Sequence, residues 1–328
     1  MTAPRRTWVR SIRPLSVVGA AALATVALSV SPWHVVVHPA DMVAAGASSH
    51  VVPLRAASLH CPGPETEGLA GVPAVTGGAS MIYAAAAPTA ALDQVPTVDG
   101  EGQLTLGATS SDQALAQTST RGAVVSSSLT GSVAGEVSAS GSLAVGLAGL
   151  RTWTKLDSDD RGLVATPCVA PTSEVWLAAG GGEPTRRERL VIANPGGNAA
   201  TVDVAVFGVG GAIATPGSSR LAIPPRGRSV VLLDAIAGGE VSPVVHVVAS
   251  GGLVTAVIED SWIDGAVGRG RDDAAPSSAP ALDQVIPGVV VDGPALVRIF
   301  VPGMSEAIVQ ARVLTPSGPT ALPTTAVT

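Results

Sequence analysis

Aromatic residues are nearly absent: Phe, Trp and Tyr make up 2% of 328 residues, although 46% of the chain is hydrophobic. A core drawn from this sequence must be filled by Ala, Val, Leu and Gly, and few rings remain for a sugar-stacking platform. Charged residues are sparse at 13%, which excludes a disordered acidic chain and a long coiled coil. Only two cysteines and five histidines occur, and neither Cys61 nor Cys168 has a second Cys or His at zinc-ligand spacing. No Gly-x-Ser-x-Gly elbow occurs either, which removes the commonest sequence sign of a serine hydrolase.

The charge that is present is unevenly placed. Arg5, Arg6, Arg10 and Arg13 precede residue 15, and Asp41 is the one charge from there to residue 49. The whole-chain −6 therefore leaves −9 for residues 50–328. An acidic body offers no electrostatic footprint for nucleic acid.

The four arginines lead into an apolar run, Leu15–Val37, of about 23 residues, interrupted at Pro32 and His34. A basic start followed by such a run is an export signal, and the run is long enough to span a bilayer. A single uncleaved anchor with the body outside the cytoplasm is expected. Secretion after cleavage near Ala45-Gly46-Ala47 is the alternative. In an exported protein the two cysteines, Cys61 and Cys168, are expected to form a disulfide closing a loop of about 107 residues.

The chain also repeats itself. "ERLVIANPGGNAATVDVAVFG" at 188–208 aligns with "VRIFVPGMSEAIVQARVLTPSG" at 297–318, placing Pro195-Gly196 on Pro302-Gly303. Val202, Val204 and Val206 alternate with Asp203 and Ala205, the period of a strand with one buried face. "ASGSLAVGLAGLRTW" at 139–153 resembles "ASGGLVTAVIEDSW" at 249–262 at nearly the same offset. Tandem copies of one all-β domain are expected, of immunoglobulin-like β-sandwich size.

The expected divisions are residues 1–37 for the basic tip and anchor, 38–60 for a linker and 61–170 for a first domain. A second domain covers 171–265, a linker 266–280, and a partial, truncated third domain 281–328. In the second domain seven short strands are expected, in "EVWLAA", "RLVIAN", "TVDVAVFG", "RLAIP", "RSVVLLD", "VVHVVAS" and "LVTAVIEDSW". Asn194, Pro195 and Gly196, echoed by Pro302 and Gly303, read as a type II hairpin turn and not as a phosphate loop, because a strand follows where a helix would be needed.

No residue set rises to a catalytic, cofactor or metal site. His246 in its strand, with Asp260 and Ser261 nearby in sequence, is the one candidate relay, and ordinary strand alternation explains it better. His34 and His38 have no acidic or thiolate partner. Asp157, Asp159 and Asp160 loosely resemble a calcium loop, but Arg161 stands at a ligand position, so the segment reads as a solvated hairpin turn. Glu259-Asp260 and Asp272-Asp273 are adjacent pairs, so a strand points their members to opposite faces. Trp153, Trp176 and Trp262 each sit beside a strand pattern and are expected in cores.

Taken together, "CPGP", "VWLAAGG", "RERLVIANPGGNAATVDVAVFG", "IPPRGRSVVLLD" and "VHVVASGGLVTAVIEDSW" resemble an actinobacterial family of envelope proteins of unknown function. The resemblance implies one N-terminal membrane segment, an exported β-rich body and a longer C-terminus than this chain has. The expected function is that of a non-catalytic structural or interaction scaffold, with an envelope protein or a cell-surface glycan as partner and no cofactor. The alternative is a carbohydrate-binding accessory to surface-polysaccharide synthesis.

Overall fold

A computed structural model describes residues 52–68, 74–92, 95–178, 180–241, 243–288, 297–303, 306–322 and 325–327. The expected anchor, His34, His38 and most of the first linker lie outside the described residues. Among the described residues no helix is long and apolar enough to cross a membrane.

The body is all-β. Eight strands build a first module: β1 (Ala56–Cys61), β2 (Ala79–Ala86), β3 (Gly102–Ala108), β4 (Ala114–Thr118), β5 (Val125–Leu129), β6 (Gly135–Gly141), β7 (Leu147–Lys155) and β8 (Gly162–Pro167). They form two four-stranded antiparallel, blade-like sheets, ordered β1-β6-β3-β4 and β5-β2-β7-β8. Alternating small apolar side chains make the buried face: Ile82 and Ala84 of one sheet meet Leu104, Leu106, Val137 and Ala139 of the other in a single cluster. Cys61 and Cys168 are bonded within that cluster. Closing a loop of this length stabilises the fold by about 4–5 kcal/mol, chiefly by restricting the unfolded chain.

The second module repeats the plan with β9 (Glu174–Ala178), β10 (Arg187–Asn194), β11 (Ala200–Gly208), β12 (Gly211–Ile213), β13 (Leu221–Ile223), β14 (Gly227–Leu232), β15 (Val244–Ser250), β16 (Thr255–Asp264) and β17 (Val267–Ala274). Its sheets are ordered β12-β11-β15-β9, with β13 also on β11, and β14-β10-β16-β17. Between them Leu190, Ile192, Val202, Val204, Val206, Val245, Val247 and Ile258 form one core. Truncating one of these, such as Leu190 to Ala, costs about 2–5 kcal/mol.

With the extra strand β13 set aside, the two modules have the same topology: the first strand lies beside the sixth, and the seventh beside the second. That order is not the immunoglobulin one, in which the first strand flanks the second and the seventh flanks the sixth. The immunoglobulin-like expectation is corrected accordingly. All seven segments expected as strands in the second domain carry one. β1 begins inside the expected 38–60 linker, and β17 occupies most of what was expected as the 266–280 linker, because its residues continue the register of β16 from Asp264↔Val267 to Ile258↔Ala274.

Two further expectations fail. Residues 194–200 do not make a hairpin, because β10 and β11 lie in different sheets and the link crosses from one to the other. Gly196 is not among the positive-φ glycines, so the type II geometry is absent. The crossing is held by Asn194 instead. Its Oδ1 accepts the Gly196 N–H (2.9 Å), and its Nδ2 reaches the carbonyls of Asn198 (2.7 Å), Pro224 (3.2 Å) and Ile223 (3.3 Å). Gly303 does take a positive φ, +107°.

The partial third domain expected at 281–328 shows no paired sheets among the described residues. Among the described residues beyond 280 there are two short two-stranded ladders, β18 (Ala307–Val309) with β21 (Thr325–Val327) and β19 (Arg312–Thr315) with β20 (Gly318–Ala321). Ile308 and Leu314 stay exposed.

Candidate functional site

The charged residues that interrupt the strand patterns converge where the two modules meet. β10, β16 and β17 are in register so that Arg189 lies opposite Glu259 and Glu259 opposite Asp273, on the face turned away from their own core. One register step along, Arg187 lies opposite Ser261 and Ser261 opposite Arg271. The first module supplies partners from the β7–β8 edge of its second sheet and from the Cys61–Glu67 loop.

Three arginines there each meet a carboxylate. Arg151 of β7 pairs with Asp273, which also accepts the Thr166 hydroxyl (2.9 Å). Arg271 lies 2.6 Å from Glu259, with its guanidinium 4.6 Å from the centre of the Trp153 ring. Arg228 of β14 pairs with Glu65 (2.5 Å) and donates to the carbonyls of Pro62 (3.1 Å) and Pro64 (2.9 Å). The Glu65 carbonyl accepts from Arg189 and Arg271, and the Glu65 N–H donates to Glu259. The "CPGPE" segment thus reaches out of the first module into the second. Gly63 makes this approach possible: it sits at φ +84°, and a Cβ there would lie 1.9 Å from the Val133 carbonyl oxygen.

Burial dominates the electrostatics. Glu259 is pushed up to about 7 by loss of water, and the nearby Asp273 charge adds to this against the pull of Arg271. Burial lowers Arg151 and Arg189. On the other face of β10, Glu188 is also raised to about 7 by burial, with Asp260 and Asp234 adding to the shift.

Beside this junction an open cleft of about 330 Å³ is lined by Lys155, Ser158 and Asp159 of the β7–β8 hairpin and by Arg187, Arg189, Glu259, Trp262 and Arg271 of the second module. The Trp262 ring has two guanidinium groups near it, Arg186 at 5.7 Å and Arg269 at 5.6 Å.

The structure separates the candidate relay. His246 is on β15 in one sheet, whereas Asp260 and Ser261 are on β16 in the other. The His246 ring stacks on Trp176 (3.7 Å, 6°), and its Nε2 lies 2.8 Å from Glu174, which also accepts the Trp176 indole N–H. Phe207 and Phe300, the two phenylalanines of the chain, join this group with ring centroids 4.9 Å apart. Asp157, Asp159 and Asp160 lie in the β7–β8 connection, where Asp160 binds Lys155 (2.7 Å). Of the three tryptophans expected in cores, Trp153 and Trp176 are buried and Trp262 lines the cleft.

Residues 123–328 match the family described as "Family of unknown function (DUF5719)". The chain belongs to this family. The matched region begins just before β5 and takes in the rest of the first module and the whole second module. No curated protein matches. Among solved structures, the crystal structure of Streptomyces avermitilis alpha-L-rhamnosidase complexed with L-rhamnose is similar at 11% identity over 68% of this chain, with a TM-score of 0.20. The chain spans about a quarter of that protein's length, 26%. A likeness this slight fixes neither fold nor function.

Proposed function

We propose that the chain is a non-catalytic cell-envelope protein, held at the membrane by its N-terminal segment, whose two paired-sheet modules act as one stiff scaffold for an envelope partner. The observation that supports this is the junction itself. Six charged side chains are paired there, Arg151 with Asp273 and Glu65 with Arg228 across the two modules and Glu259 with Arg271 beside them within the second. Buried ion pairs of this kind add little net stability but penalise any other docking, because breaking one strands a charge away from water. Such a junction fixes orientation, which a scaffold requires. The acidic exterior and the N-terminal arginines are consistent with display on the outer side of a membrane.

In-cell crosslinking followed by affinity capture of the full chain tests the reading. A single envelope protein or glycan polymer recovered reproducibly, and lost when the junction is broken by Glu65→Ala, is the expected result. Capture with no reproducible partner, or equal capture by the broken variant, removes it.

A further inference from the structure

The cleft beside the junction contains two cations that no carboxylate of the described residues contacts directly. Of its lining carboxylates, Glu259 is held by Arg271, Asp160 by Lys155 and Asp260 by Arg186. Arg187 and Arg189 make no ion pair among the described residues. Arg189 is almost fully buried, and its polar contact is a long one, 3.4 Å, to the Glu65 carbonyl. The Arg189 Nε is buried without a hydrogen-bond partner, and so is the indole Nε1 of Trp262, another residue of the cleft wall.

These two groups can only donate. A buried guanidinium Nε–H and a buried indole N–H, both without a partner, cost free energy that a complementary acceptor recovers. A cavity of about 330 Å³ is at the lower end of the range for small-molecule sites. Guanidinium groups match planar carboxylate and tetrahedral phosphoryl oxygens. The Ser261 hydroxyl at the same wall suits a hydroxylated body, and the Ser158 and Thr185 oxygens, which donate to Asp160 and to the Pro184 and Ile263 carbonyls, can still accept.

We propose that this cleft binds a small oxyanion-bearing ligand of monosaccharide size, with the anionic group on Arg187 and Arg189 and an oxygen of the ligand accepting from the Trp262 indole. The site goes beyond the scaffold reading and stands independently of it. Asp159, exposed at the rim and without an ion pair among the described residues, opposes an incoming anion and sets a limit on affinity.

Calorimetric titration of the full chain with D-glucuronate, glucose 6-phosphate, inorganic phosphate and glucose tests the site. Both sugar oxyanions are expected to bind and glucose is not, with affinity falling as salt rises. The stronger of the two sugar oxyanions identifies carboxylate or phosphoryl as the preferred group, and phosphate alone is expected to bind more weakly than either. Arg187→Ala, a change at an exposed position, is expected to weaken binding at least tenfold, and Asp159→Asn to strengthen it. Trp262→Phe keeps the ring, removes the donor and is expected to weaken binding severalfold. Binding of glucose as tight as of glucuronate overturns the proposal. So does wild-type affinity in Arg187→Ala, or no heat with either sugar oxyanion at millimolar concentration.

Discussion

The backbone N–H of Glu65, in the first module, donates to the carboxylate of Glu259 in the second, 2.7 Å away across 194 residues of sequence. The same Glu65 gives its carboxylate to Arg228 and its carbonyl to Arg189 and Arg271. One loop residue therefore contacts three arginines and a glutamate of the other module.

Removing that hub should be costly, and removing it together with its partner less so. Glu65→Ala leaves Arg228 buried without a counter-charge, and an expected loss of about 3–5 kcal/mol follows. In Glu65→Met/Arg228→Met both charges are gone, and the loss should be well below the sum of the two single changes. A urea-denaturation double-mutant cycle reads the difference as coupling. Strict additivity of the two changes would show that the pair does not hold the modules.

Much of the second module is legible in the sequence, and the junction is not. The alternation of Val202, Val204 and Val206 marks β11 correctly, because one face of that strand packs on a core and the other does not. The echo of 139–153 at 249–262 likewise falls on the same strands, the ends of β6 and β15 and all but the last residues of β7 and β16. The adjacent acids do point to opposite faces: Glu259 meets the first module and Asp260 meets Arg186. What alternation cannot reveal is that an outward face is covered by another module, so buried charges look solvated. The Asn194 crossing misleads for a related reason. Pro-Gly favours a type II turn locally, but the Asn194 amide supplies the hydrogen bonds that bend the chain, and strand pairing decides that it leaves the sheet. At 297–318 the same alternation yields only short two-stranded ladders among the described residues, with Ile308 and Leu314 exposed.

The raised carboxyls make stability depend on pH in a direction opposite to the usual acid response. Glu188 titrates near 7 in the folded chain and near 4.5 when unfolded, so between those values the folded state holds the extra proton. Stability from this group is greatest below about pH 4.5 and falls as pH rises through 7; Glu259 acts in the same sense. His60 acts oppositely, since burial lowers it to about 4 and its contribution rises between there and 6.5. Glu188→Gln isolates one group: its stability relative to the unmodified chain should increase from pH 5 to pH 8 in urea melts. A difference that stays flat across that range would mean Glu188 is not raised.

Asn194 gives the sharpest test of how the chain passes between sheets. Its side chain is fully buried, and no other side chain serves the Gly196 N–H or the Asn198, Ile223 and Pro224 carbonyls at the crossing among the described residues. Asn194→Ala removes the side-chain partner of the half-buried Gly196 N–H and of the buried Ile223 carbonyl, an expected loss of about 1–3 kcal/mol. Asn194→Asp keeps the acceptor for Gly196 but aims a carboxylate at three carbonyl oxygens, so it should cost at least as much above pH 5 and less when protonated at pH 3–4. If the link were instead held by Pro195 and Gly196 alone, both substitutions would leave the urea midpoint within error of the parent. A wild-type midpoint for Asn194→Ala would therefore return the crossing to the backbone and take the role from the side chain.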